Sequence, residues 1–178
     1  MFNIIIDKKI EKPAWLYSFD FEISKFVGNW INMIDNALLR KNYNYLTNVK
    51  GKMTEDIFLH DPHFRFVLLE SIKKVQSISN YINKEYHIMD AWGIRNDYGD
   101  WTQQHRHGQA DVSGIIYLNN SKQQLFFPDL DLPIEPKPGR IILWESQLWH
   151  EALPNTEKKA KYAIVFNLSF KRPTSSRI

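Results

Sequence analysis

The chain changes texture at Lys84, and this change constrains its fold more than any other feature. From Asp20 to Lys41 the apolar residues Ile23, Phe26, Val27, Trp30, Ile31, Ile34 and Leu38 recur at helical spacing. A second helix is predicted to start at Asp61-Pro62, where Asp can cap free N–H groups and Pro is tolerated in the first turn. Its apolar positions are Leu68, Ile72, Val75, Ile78 and Ile82, and the polar stretch 42–59 between the helices reads as a loop. After Lys84 come short apolar runs bounded by Gly, Pro, Asn and Asp: 86–89, 91–94, 112–118, 125–127, 141–144 and 162–170. No ten-residue helical pattern separates them, so a βαβ parallel sheet is not expected. Helices followed by short strands predict an α+β, mainly β chain: an antiparallel barrel or sandwich of the jelly-roll or cupin kind, buttressed by N-terminal helices.

With 178 residues, 43% of them hydrophobic, the chain is expected to form a single domain over 1–178. Residues 1–85 would be mostly helical support, 86–170 the β core and 171–178 a frayed tail. No apolar run approaches the roughly 20 residues that cross a bilayer, and the start lacks a secretory signal pattern. A cytoplasmic location is therefore expected, with no membrane partner. The absence of cysteine excludes disulfides, thiolate zinc sites, iron–sulfur clusters and cysteine nucleophiles. A net charge of +3 and a pI near 9.0 are too slight to indicate nucleic acid, and no basic stripe with interleaved aromatics supports it.

Any metal must then be held by His, Asp, Glu or Tyr. Of the histidines, His60 and His63 sit at a predicted helix start, without strand context, and read as ordinary residues; His87 could face either way. His105 and His107 differ, because residues two apart on an extended segment point to one face and can grip one ion. Alone, an H-x-H pair reads slightly better as a polar turn with two exposed rings. His150, late in the chain beyond the strand 140–144, would complete a three-ligand facial site that leaves positions open for a co-substrate and oxygen. Lys161 opens the last strand; it could pair with a carboxylate or be one more solvated lysine beside Lys158 and Lys159.

Together these segments resemble the iron(II)- and 2-oxoglutarate-dependent dioxygenases, whose fold is a double-stranded β-helix. His105-Arg106-His107 stands where the family has H-x-D. The run 113–119 is similar to its following strand, 134–144 to the strand leading to the distal histidine, and 150–154 to the distal motif. Lys161 stands where the family binds the far carboxylate of 2-oxoglutarate. The order resembles prolyl-hydroxylase-like members, and more closely a branch found in marine bacteria and their phages; if phage-encoded, the protein would lie in the host cytoplasm. The resemblance covers about residues 86–170.

The resemblance implies iron(II) bound by His105, His107 and His150, with 2-oxoglutarate and O2 as co-substrates. Lys161 would pair with the far carboxylate, Tyr117 could add a hydroxyl, and Asn167 could line the pocket; Tyr117 and Asn167 read equally well as a core tyrosine and a strand-end polar residue. The departure at His107 leaves three readings: a three-histidine site, a two-histidine site with water, or a silent site. Asp111 is near in sequence, but its offset does not match the family pattern. The expected activity is hydroxylation of a peptide or small molecule, with release of succinate and CO2. Arg95, Trp101 and Gln103 are candidate substrate contacts, while Trp92 reads first as packing. Two alternatives remain: a non-catalytic binding or virion-associated module with a degenerate metal site, and a metal cupin independent of 2-oxoglutarate. The helical half could also form a homodimer face.

Overall fold

The computed structural model describes residues 3–4, 14–41, 48–79 and 85–170. Its elements are β1 (Asn3–Ile4), β2 (Leu16–Asp20), α1 (Ser24–Arg40), β3 (Val49–Lys50), β4 (Lys52–Met53), α2 (Pro62–Gln76), β5 (Tyr86–Asn96), β6 (Trp101–His105) and β7 (Val112–Tyr117). They continue through β8 (Leu125–Phe127), β9 (Leu132–Ile134), β10 (Arg140–Glu145), β11 (His150–Ala152) and β12 (Lys161–Phe170). Seven strands form one sheet in the order β1-β2-β10-β7-β12-β5-β4, and five form a second in the order β3-β6-β11-β8-β9. The strand pairings are antiparallel. The two sheets face each other as a double-stranded β-helix, the predicted class.

Alternation along the large sheet divides the core in two. Its inward residues Trp92, Ile94, Ile115, Tyr117, Ile142 and Trp144 pack with Leu125, Phe127 and Ile134 of the small sheet. Its outward residues Ala91, Ile116, Leu143, Ile164 and Phe166 pack on Trp30 and Ile34 of α1 and on Phe64, Val67 and Leu68 of α2. The helices therefore buttress the outer face. Gly114 permits that contact: a Cβ there would sit 2.2 Å from the Phe166 ring. Gly139, at φ +79°, turns the chain into β10 against the Phe21 carbonyl.

Asp61 caps α2 as expected, accepting from Phe64 N–H at 2.7 Å, and also takes the Trp30 indole N–H at 3.2 Å. The helical reading from Asp20 does not hold at its start. Asp20 ends β2, which pairs with β10 and carries the Asp20–Arg140 ion pair, and α1 begins at Ser24. β2, β3 and β4 all precede Lys84 and add to the sheets, where the sequence pattern offers only helices and a loop. α2 ends at Gln76, two residues short of Ile78, and Ile82 lies outside the described residues. The predicted runs 86–89 and 91–94 are one continuous strand, β5. Among the described residues no helix is long and apolar enough to cross a membrane.

Candidate metal centre

The small sheet sets the three histidines. His105 closes β6 and His150 opens β11, and the two are direct cross-strand partners, with ring centroids 4.3 Å apart. His107 lies just past β6, where its N–H donates to the Ser146 carbonyl at 2.9 Å. Ser146 in turn donates its hydroxyl to the Ala110 carbonyl, tying the 106–110 loop to the turn after β10. One candidate ligand atom from each of the three histidines falls within 4.8 Å of the others. His107 Nε2 and His150 Nε2 are 3.3 Å apart, their rings nearly parallel at 6°.

Backbone carbonyls select the tautomers. His105 Nδ1 is 2.8 Å from the Gln103 carbonyl and His150 Nδ1 is 3.0 Å from the Leu148 carbonyl. A carbonyl only accepts, so each Nδ1 carries the proton and each Nε2 keeps its lone pair for the centre. Burial pushes all three imidazoles toward neutrality. His107 falls to about 4 through burial and the neighbouring His105, and His150 lies well below the usual histidine range. His105 is lowered by burial, partly opposed by its bond to Gln103. Three neutral nitrogen donors on one side of a cavity suit a divalent transition metal. Asp111 does not join them: its carboxylate accepts from Ser169 Oγ at 3.1 Å and Phe170 N–H at 2.7 Å.

The histidines wall one side of a cavity inside the barrel that Trp92, Tyr117, Trp144 and Lys161 also line. Lys161 is only 2% exposed, so it is not one of the solvated lysines. Burial lowers its pKa to about 7, and no side chain among the described residues pairs with it. The Tyr117 hydroxyl is buried without a partner. Asn167 lies outside this cavity. It accepts from Ser113 Oγ at 2.7 Å, donates to Asp90 at 2.8 Å and lines a separate rim cavity with His107 and Gly108.

The candidate substrate contacts do not reach the inner cavity. Arg95 alternates with the inward Ile94 and pairs with Asp35 at 3.0 Å and Asp97 at 2.9 Å. Trp101 and Gln103 are exposed on β6, where Thr102 and His105 line the cavity. The contribution of Gln103 to the site is its carbonyl, on His105. His60 and His87 are exposed, and His63 stacks on Phe26 at 4.7 Å. The cavity-lining role of Trp144 has no signature in the sequence, because it arises from the pairing of distant strands, whereas the two carbonyl contacts are local, each two residues before its histidine.

Residues 89–169 match the family model of the 2OG-Fe(II) oxygenase superfamily. The viral collagen prolyl hydroxylase of Paramecium Bursaria Chlorella virus-1, solved with 2OG, matches with a TM-score of 0.70 at 17% identity, over 88% of this chain and 96% of that one. The chain resembles this superfamily, its prolyl-hydroxylase-like members included. HygX from Streptomyces hygroscopicus, with nickel, 2-oxoglutarate and hygromycin B bound, gives 0.69 at 9% identity, over 88% and 83%. A Trichoplax adhaerens prolyl hydroxylase in complex with a hypoxia inducible factor peptide fragment gives 0.62 at 16%, over 87% and 83%. At such identities the likeness to these 2OG-Fe(II) oxygenases is one of fold. No curated protein sequence matches the chain.

Proposed function

We propose that this protein is an iron(II)- and 2-oxoglutarate-dependent oxygenase that hydroxylates a peptide or a small molecule. The reading rests on one observation: three neutral imidazoles converge on a cavity that also buries an unpartnered lysine. His105, His107 and His150 would hold the metal. Bound iron(II) with 2-oxoglutarate and O2 would supply the oxidation, leaving succinate, CO2 and a hydroxylated substrate. The chain's own residues bind and orient. The Gln103 and Leu148 carbonyls fix the donor tautomers. The Lys161 ammonium offers a charge-assisted contact to a carboxylate, strengthened by its dry surroundings. Tyr117 lines the same cavity with a hydroxyl that has no partner. The apolar walls, Ile115, Leu125 and Val165 among them, keep water from the reacting atoms.

The neighbours support both substrate classes, since one holds a peptide fragment and another hygromycin B. We favour a peptide, following the prolyl-hydroxylase-like resemblance. The test needs no substrate: under strict anaerobiosis, iron(II) and then 2-oxoglutarate are added and the visible spectrum recorded. A metal-to-ligand charge-transfer band is expected. Bound iron without a band would point to a metal cupin independent of 2-oxoglutarate, and neither iron nor band to a binding module.

A further inference from the structure

Four buried side-chain nitrogen or oxygen atoms among the described residues lack a hydrogen-bond partner: Trp92 Nε1, Asn96 Oδ1, Tyr117 Oη and Trp144 Nε1. Three of the four belong to residues lining the inner cavity, and those three can all donate. Lys161, in the same wall, adds an ammonium. A buried donor without an acceptor is costly, so proteins rarely leave one. This protein satisfies the buried indole of Trp30, whose N–H goes to Asp61. Unpaired donors gathered on one cavity therefore mark what the cavity is built to receive, an anion rich in acceptor oxygens.

The strand register brings the two indoles to that wall from different strands. Trp92 on β5 lies opposite Val165, and Val165 opposite Ile115; all three line the cavity. Trp144 on β10 packs edge-on against the His150 ring, with centroids 5.0 Å apart. The two tryptophans thus line the same cavity as the three histidines and the lysine, and Trp144 touches His150. A keto dicarboxylate has five oxygens, more acceptors than a metal, Lys161 and Tyr117 occupy.

We infer that the indole N–H groups of Trp92 and Trp144 donate hydrogen bonds to the bound 2-oxo dicarboxylate and help the cavity select it. This rests on the proposed function and extends it to two residues with no assigned role. The two indoles complete the donor set and position the co-substrate against the histidines. Co-substrates with fewer oxygens, such as pyruvate, leave at least one donor unpaired and bind more weakly.

The experiment uses the full chain with 15N-labelled tryptophan, loaded with zinc(II) as a diamagnetic probe. Six indole signals are expected, from Trp15, Trp30, Trp92, Trp101, Trp144 and Trp149. Trp92→Phe and Trp144→Phe assign two of them. On titration with 2-oxoglutarate, the Trp92 and Trp144 indole protons should move downfield and exchange more slowly with solvent, while that of Trp30 stays fixed. Each Phe variant should bind 2-oxoglutarate about tenfold more weakly or worse, with zinc affinity unchanged. The wild-type spectrum does not depend on how well the variants fold. Saturable binding of 2-oxoglutarate with neither indole signal moving would overturn this inference and leave the proposed function standing. No binding of 2-oxoglutarate at all would remove both.

Discussion

Lys161 combines full burial with the lack of a partner, and both its charge state and its role follow from that. Replacing it with Met keeps the volume and removes the ammonium. Lys161→Met should weaken 2-oxoglutarate binding by at least tenfold while leaving metal affinity intact, as calorimetry with each ligand would show; normal binding would remove its assigned role. The pH dependence has a definite sign. In the ligand-free fold the amine loses its proton near 7, far below its value in the unfolded chain. Between those values the unfolded chain binds more protons, so this group makes stability rise with pH from about 7 upward. A dicarboxylate needs the protonated form, so its affinity should fall as pH rises above 7, and binding near pH 8 should take up a proton. Calorimetry in buffers of different ionisation enthalpy measures that uptake, and Lys161→Met should abolish it.

The helical layer lies on the large sheet through many apolar contacts, and two features bear on how it is seated. One is Asp61, which caps α2 and also satisfies Trp30 of α1. Asp61→Ala removes a cap and strands a buried N–H, and should cost about 2–3 kcal/mol in urea unfolding. A loss below about 0.5 kcal/mol would show that other contacts hold α2. The other is the seat of Phe166 over Gly114. Gly114→Ala forces that ring aside and should cost about 1–3 kcal/mol, while the metal site, on the opposite sheet, keeps its affinity. Loss of metal binding in this variant would mean that strain passes through the sheet to the histidines.

For the whole molecule, metal binding and folding are linked. The three donors come from β6, the loop after it and β11, so they converge only when the barrel has closed. A metal at about one hundred times its Kd should add about 2.7 kcal/mol, raising the Tm by roughly 5–11 °C for a chain of this size. A chelator should reverse the shift, and His150→Ala should abolish it. An unchanged Tm in wild-type protein with metal demonstrably bound would mean that the unfolded chain holds the ion equally well, and that folding does not build the site.

Local physics made part of this protein legible from its sequence. β7, β8, β10 and β12 fall within a residue of the predicted runs, because each alternates or runs apolar between Gly, Pro or Asn breaks. The start of α2 was legible because a cap is a local bond. His105, His107 and His150 could be singled out by strand spacing and family order, and so could Lys161. β6 left no such trace. Its sequence, Trp-Thr-Gln-Gln-His, has no apolar period, and only pairing with β3 and β11 makes it a strand. The same holds for the ends of β2, for the outward turn of Arg95 toward α1, and for Asn167, whose amide is taken by Ser113 and Asp90. The sequence by itself determined the antiparallel class and the donor types. Tertiary structure decided which donors meet and which polar groups are left unpaired, because those depend on contacts between residues tens of positions apart.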